Sequence, residues 1–137
     1  MTIRGSCLCG QVRYEIPGGF DSASHCHCSQ CRKAHGAAFA SYGVLPAAAF
    51  SIVAGDDAIA SYRPSAASVR TFCRHCGSNL EWRGTGTPTR TAVALGTLDE
   101  DPGIRPGRHI HVASGATWHR ITDDLPQFPA DAAHDSA

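Results

Sequence analysis

The sequence predicts an all-β fold of small sheets with few or no helices. Short apolar segments are separated by glycine, proline and aspartate turns, at the spacing expected for strands in a sheet. No stretch carries the sustained 3.6-residue apolar period of a long amphipathic helix. All seven cysteines fall in three clusters within the first 76 residues, a pattern that favours metal knuckles over disulfides. Metal-pinned β-sheets are therefore expected.

The first predicted strand covers residues 11–16, where apolar Val12, Tyr14 and Ile16 alternate with polar side chains. Residues 17–19, Pro-Gly-Gly, end this strand. A short polar link at residues 21–24 then leads to the middle cysteine cluster. After that cluster, residues 37–43 are interpreted as a buried strand or the wall of a pocket.

Further short strands follow the same pattern. They are predicted at residues 50–54, 58–62, 69–72, 79–82 and 90–95, with a possible edge strand at 109–112. Beyond them lies a mostly irregular tail, whose large apolar residues are expected to pack back on the core. These residues are Trp118, Ile121, Leu125 and Phe128. We expect one domain over residues 1–129 and a frayed end at 130–137.

Charge and hydropathy exclude several functions. Twelve basic and twelve acidic residues give zero net charge, so no positive field exists to recruit nucleic acid or an anionic membrane. No stretch is long and apolar enough for a membrane span, and the first residues do not form a secretory signal. A cytoplasmic protein is the expectation, and its reducing surroundings favour metal-bound thiols. The sequence gives no oligomeric state.

The outer cysteine clusters predict a structural zinc site. Cys7 and Cys9 form a C-x-C knuckle, and Cys73 and Cys76 form a C-x-x-C knuckle followed by Gly77. Zinc is tetrahedral with bonds of about 2.3 Å to sulfur, so two thiolates from each knuckle close a four-cysteine site.

The middle cluster has three cysteines and no fourth. Cys26, Cys28 and Cys31 leave one zinc position for water or substrate, which is the pattern of a catalytic site. Two zinc ions per chain are thus predicted, one structural and one catalytic. Two alternatives remain open. In the first, a histidine is the fourth ligand and makes the middle site a second structural one; the candidates are His25, His27 and His35. In the second, the three thiols form a redox cluster without a metal.

Other polar and aromatic residues are weighed in the same way. Ser29, Arg32 and Lys33 are candidate donors to a substrate oxygen because they are close to the middle cluster in sequence. His109 and His111 would share one face of a strand, where an exposed edge is favoured over a metal pair. The larger aromatic side chains are assigned to the core rather than to substrate stacking. These are Phe39, Tyr42 and Trp82.

Five motifs together resemble the family of glutathione-dependent formaldehyde-activating enzymes and centromere protein V. The motifs are Gly5-Ser-Cys-x-Cys-Gly10, Cys26-x-Cys-x-x-Cys-Arg-Lys33, Phe72-Cys-x-x-Cys-Gly-Ser78, Gly96-Thr-Leu-Asp99 and Trp118 with Asp124-Leu-Pro-Gln-Phe128. They span nearly the whole chain. The resemblance implies an Mss4-like fold, a structural zinc on the outer cysteines and a catalytic zinc on the middle three.

The resemblance also implies an activity. The family's named enzyme joins glutathione to formaldehyde, giving S-hydroxymethylglutathione, and is classed as a carbon-sulfur lyase for the reverse direction. Members with that activity are longer than this chain, so the expected substrates are an aldehyde with glutathione or another small thiol. The alternative is a non-catalytic, zinc-stapled binding module with two structural zinc sites.

Overall fold

A computed structural model describes residues 1–131 of the chain. Within this range the chain forms ten strands and one α-helix, α1 (Ser29–His35), together with four single-turn 3-10 helices. The strands are β1 (Ile3–Ser6), β2 (Arg13–Ile16), β3 (Ser22–Cys26), β4 (Ala40–Pro46), β5 (Ser51–Ala54), β6 (Ile59–Ser65), β7 (Ser68–Cys73), β8 (Asn79–Gly84), β9 (Arg90–Ala94) and β10 (His109–Ile110). The prediction of an all-β fold with few helices is confirmed.

The described strands form two sheets. The larger has seven strands in the order β10-β3-β4-β9-β8-β7-β6, and the smaller has three in the order β1-β2-β5. Neighbours are antiparallel except β10 and β3, which are parallel. No helix of residues 1–131 is long and apolar enough to cross a membrane.

Two of the observed strands were not predicted from the sequence. One is β1, and the other is β3, which covers most of the stretch interpreted as a polar link. Strand β3 lies between β10 and β4, and its residues Ala23, Ser24 and Cys26 are buried. A strand that is covered on both faces shows no apolar-polar alternation. Its small polar composition therefore concealed it.

The main core lies between the two sheets. Its deeply buried members come from both of them: Ile3, Val12, Tyr14, Ile16, Leu45, Leu80 and Val93. Each such side chain stabilises the fold by about 1.5–3 kcal/mol through burial. Cys7 and Cys73 belong to the same apolar cluster, so the outer cysteine knuckles are built directly onto this core.

A second apolar cluster covers the opposite face of the large sheet. Because side chains alternate along a strand, Val44 and Ala92 point away from the face on which Leu45 and Val93 lie. The same cluster includes two of the middle cysteines and the surrounding apolar residues. Its members are Cys26, Cys31, Ala40, Tyr42, Val44, Ala92 and Ala94, with Trp82 and Ile110 packed against them.

The tail after β10 runs back along the sheet edge. Main-chain hydrogen bonds join the His109 amide to the Pro126 carbonyl at 2.9 Å and the Phe128 amide to the His109 carbonyl at 2.9 Å. Ile121, Leu125 and Phe128 are half-buried, whereas Trp118 is 71% exposed. The predicted packing of Trp118 on the core is therefore wrong.

The predicted exposed edge at His109 and His111 is also wrong for His109. The tail covers β10, so the His109 side chain is only 1% exposed. His111 lies beyond the strand in a left-handed backbone conformation, with φ of 57°. Its amide donates to the Ala130 carbonyl at 3.1 Å. The fraying expected at 130–137 stays a prediction, since residues 132–137 lie outside the described range.

Candidate metal centres and an adjoining cavity

The outer knuckles meet to form what we call the four-cysteine cluster, made of Cys7, Cys9, Cys73 and Cys76. Their four sulfurs lie within 4.8 Å of one another. The Cys7 and Cys9 sulfurs are 3.5 Å apart, and the Cys9 and Cys73 sulfurs are 3.8 Å apart. A tetrahedral zinc with bonds of about 2.3 Å places its sulfurs about 3.8 Å apart. The donor set and its spacing fit zinc.

Hydrogen bonds from the two turns orient these sulfurs. The Val12 amide donates to Cys7 Sγ at 3.3 Å, and Ser78 Oγ lies 3.4 Å from Cys76 Sγ. Hydrogen bonds from Ser78 lower the pKa of the Cys76 thiol to about 5, with the larger effect from the hydroxyl and the smaller from the amide. Gly77 adopts a φ of 81°, which a side chain would disfavour. The turn thus presents a thiolate ready for a cation.

The three-cysteine cluster, Cys26, Cys28 and Cys31, forms where β3 passes into α1. Cys26 ends the strand, Cys28 is the N-cap residue of the helix, and Cys31 lies in its first turn. The Cys31 amide donates to Cys28 Sγ at 3.3 Å, so the cap itself holds one sulfur in place. The three sulfurs lie within 4.8 Å of one another.

Charge within the three-cysteine cluster also favours a cation. Hydrogen bonding from Cys26 and then Cys31 holds the pKa of the Cys28 thiol well below its usual range. Hydrogen bonding with Cys28 and then Cys31, followed by burial, raises the pKa of Cys26 far above the usual range of a thiol. Three adjacent sulfurs therefore do not all ionise by themselves. A divalent cation such as zinc removes this conflict because every ligand then faces positive charge.

The histidines near this cluster are engaged elsewhere. His25 Nδ1 lies 2.7 Å from Ser41 Oγ, His27 Nε2 lies 2.8 Å from His109 Nδ1, and His35 Nε2 lies 2.9 Å from the Tyr42 hydroxyl. Among residues 1–131, no histidine or carboxylate joins the three sulfurs. The described geometry thus gives no support to closure of the site by a histidine.

The three-cysteine cluster opens on a cavity of about 340 Å³. One wall is apolar and aromatic, and two arginines supply positive charge. The wall residues are Tyr42, Val44, Trp82, Ala92 and Ile110, and the arginines are Arg70 and Arg90. Tyr42 and Trp82 were predicted to lie in the core. Tyr42 is buried and Trp82 is partly buried, but both side chains also face this cavity.

The cavity wall is assembled by strand register. Trp82 on β8 pairs with Arg70 on β7 and with Ala92 on β9, and Ala92 pairs in turn with Val44 on β4. Directly paired residues point to the same face of a sheet. One cross-strand row therefore brings four side chains, distant in sequence, to the mouth of the three-cysteine cluster.

None of the donors suggested by sequence proximity lines the cavity. Ser29 and Lys33 are exposed, and Arg32 Nε donates to the Ser114 carbonyl at 3.1 Å. The residue that sequence reasoning missed is Arg70, which lines the cavity and is only 6% exposed. Its one signal in the sequence was a charged residue inside a predicted strand.

These features define a class of protein, namely an all-β protein with a four-cysteine cluster and a three-cysteine cluster that opens on a cavity. The chain belongs to the family described as glutathione-dependent formaldehyde-activating enzyme, whose sequence profile matches residues 2–114. The all-β architecture expected for that family is the one observed.

Individual relatives agree with this placement. A putative glutathione-dependent formaldehyde-activating enzyme from Aspergillus flavus is 37% identical over 76 residues, covering 54% of this chain and 40% of the relative. One from Podospora anserina is 37% identical over 76 residues, covering 54% of this chain and 36% of the relative. The chain thus spans about two fifths of the length of these fungal proteins.

A solved structure is similar as well. A Rhodobacter sphaeroides protein determined by crystallography superposes with a TM-score of 0.60 at 26% identity. The superposition covers 75% of this chain and 91% of that protein. The fold therefore recurs in a protein of similar extent.

Proposed function

We propose that the chain is a zinc-dependent, carbon-sulfur lyase-like enzyme that acts on an adduct of a small thiol and an aldehyde. The four-cysteine cluster would hold a structural zinc, and the three-cysteine cluster a catalytic one. One observation carries the proposal: three sulfurs converge at a cavity without a fourth protein ligand among the described residues. Four protein ligands close a structural zinc site, whereas three leave a position for a reactant.

The cavity suits small reactants. Its volume of about 340 Å³ is near the lower end of the range of about 300–1,000 Å³ for ligand pockets. A thiol and an aldehyde bound against the apolar wall formed by Val44, Trp82 and Ala92 would displace water from that face. Exclusion of water strengthens electrostatic interactions with the reacting atoms.

The reaction is an addition and its reverse. Thiolate sulfur forms a bond to the carbonyl carbon, and the π electron pair moves to oxygen, which takes a proton from solvent; cleavage of the adduct reverses both steps. When bound by three thiolates, zinc would supply a Lewis acid that keeps a substrate thiol ionised near neutral pH. The protein residues would hold both reactants within bonding distance, which is a large part of the rate gain.

Glutathione with formaldehyde is the first pair to consider because the family description names both. This chain spans only part of its curated relatives, so other small thiols are included. All seven cysteines are free of disulfides, which supports a reducing compartment such as the cytoplasm.

Magnetisation exchange by NMR tests the activity, because the uncatalysed addition is fast and an end-point assay would miss catalysis. Zinc-loaded protein should accelerate exchange between a thiol plus aldehyde and their hemithioacetal, with saturation. Cys28→Ser should abolish the acceleration. Ser29→Ala is the matched control, since Ser29 is the first residue of the helix that Cys28 caps but is exposed and outside the cavity lining.

The contrary result is also defined. If no thiol in a broad panel is accelerated and none perturbs the visible spectrum of cobalt-substituted protein, the enzyme proposal fails. A non-catalytic, zinc-stapled binding module with two structural zinc sites would then describe the chain better.

A further inference from the structure

Arg70 is a buried cation that forms no ion pair with a carboxylate among the described residues, although Asp131 also lines the cavity. The Arg70 side chain lies in the cavity wall and is 6% exposed. Arg70 takes part in none of the ion pairs formed within residues 1–131. Burial of a charge costs several kcal/mol unless it is compensated. The compensation must therefore come from groups that line the cavity.

Two contacts fix the guanidinium. Arg70 Nη1 donates to the Tyr42 hydroxyl at 2.9 Å, and Nη2 lies 3.6 Å from Cys31 Sγ. Because Tyr42 accepts from Arg70, its own proton is directed to His35 Nε2, 2.9 Å away. Burial raises the pKa of Tyr42, so the phenol stays protonated and serves as a neutral anchor. The planar guanidinium is thereby held beside the sulfurs.

The other arginine of the cavity is different. Arg90 forms an ion pair with the carboxylate of Asp21, which balances its charge. Arg70 has instead the three-cysteine cluster as its negative neighbour. Three thiolates around one divalent cation carry a net charge of about −1, which offsets a single guanidinium and leaves its remaining N–H groups available to a bound molecule.

We propose that Arg70 is the oxyanion-binding residue of this site, an inference that rests on the proposed thiol-aldehyde reaction. Its free N–H groups would donate to the carbonyl oxygen of the aldehyde. When thiolate sulfur bonds to the carbonyl carbon, the π electron pair moves to the carbonyl oxygen, which becomes an alkoxide. The adjacent guanidinium would stabilise this negative charge until solvent protonates the oxygen. Fixed donors of this kind act because they need no reorganisation during the reaction.

The test compares Arg70→Met with Arg63→Met, in which an exposed arginine of the neighbouring strand β6 is changed. Arg70→Met should lower kcat/KM for the aldehyde by about 100-fold, the loss typical of one oxyanion donor. Arg63→Met should match the wild type. Arg70→Lys, which keeps the charge but not the planar fork, should recover part of the loss.

A second readout does not depend on activity. In cobalt-substituted protein, loss of the N–H···S contact should shift the sulfur-to-metal charge-transfer band to longer wavelength in Arg70→Met, because the Cys31 sulfur becomes more electron-rich. The band of Arg63→Met should not move. Circular dichroism checks the fold. Should Arg70→Met fail to fold, Arg70→Gln replaces it, since this variant keeps N–H donors without the charge.

The outcomes separate the two proposals. If the wild type is active and the Arg70 variants match it in both kcat/KM for aldehyde and cobalt spectrum, the role of Arg70 is overturned and the proposed function stands. If the wild type accelerates no thiol-aldehyde pair, the proposed function falls, and the role of Arg70 falls with it.

Discussion

His27 Nε2 lies 2.8 Å from His109 Nδ1. His109 Nε2 is 3.0 Å from both carboxylate oxygens of Asp123. An N–H donated to the carboxylate leaves His109 Nδ1 as the acceptor, so His27 donates from Nε2. The tail is thus tied through His109 to the residue between Cys26 and Cys28.

Asp123→Asn should lower the melting temperature at pH 7, because the hydrogen bond from His109 would lose its charged acceptor. The same bond lowers the pKa of Asp123 from 3.8. A carboxylate with a depressed pKa contributes its stability above its unfolded value and loses it as the pH falls. The difference between the two proteins should therefore shrink below about pH 3.8. Thermal melts across this range measure it, and a constant difference at all pH values would contradict the account.

Metal content should reach two zinc ions per chain in reduced, metal-replete protein. The three-cysteine cluster should lose its ion first to a chelator because it has fewer protein ligands and faces a cavity. Elemental analysis after timed chelation checks both statements. A maximum of one zinc would rule out the two-site assignment.

Mutations of the two clusters should have different consequences. Cys9→Ser or Cys76→Ser should prevent stable folding or lower the melting temperature strongly, since a structural zinc supplies folding free energy. Cys28→Ser should leave a folded chain that binds one zinc. Circular dichroism with metal analysis distinguishes them. Equal loss of folding in both groups would mean that both sites are structural.

Gly55→Ala should destabilise the fold by about 2–4 kcal/mol, from overpacking together with left-handed backbone strain. Gly55 has a φ of 77°, and a Cβ there would lie 2.0 Å from the Gln11 carbonyl oxygen. Gly96→Ala is the control because nothing lies within 4 Å of its Cβ position, and it should change stability by less than about 0.5 kcal/mol. Denaturant titration measures both. Equal effects would show that the close approach at Gly55 does not matter.

The cysteine knuckles could be predicted because each one is local, and the pairing of the two outer knuckles followed from the four ligands that a structural zinc needs. A C-x-C or C-x-x-C knuckle brings its two sulfurs together through neighbouring residues alone. Strands with alternating apolar and polar residues, such as β2, can be predicted from local sequence in the same way. Arg70 could not be assigned in this way. Its place at the cavity depends on the pairing of β7 with β8 and on the row that continues to Trp82 and Ala92.

Burial by distant segments explains the other differences. His109 was expected at an exposed edge, yet residues near Gln127 pair beside it and cover it. Trp118 was expected in the core because it is large and apolar, yet it remains exposed. Neither outcome is encoded in the residues next to these positions. Both depend on the path of the tail, which lacks a repeating pattern.

The two clusters differ in how far apart their ligands lie along the chain. The three sulfurs of the middle cluster come from six consecutive residues, whereas Cys9 and Cys73 are separated by 64 positions. Closing that longer loop has a larger entropic cost and requires most of the sheet to be in place. During synthesis the nascent chain would thus be able to capture an ion at the middle cluster long before Cys73 leaves the ribosome. An ion at the three-cysteine cluster would be loaded first, and one at the four-cysteine cluster would arrive last.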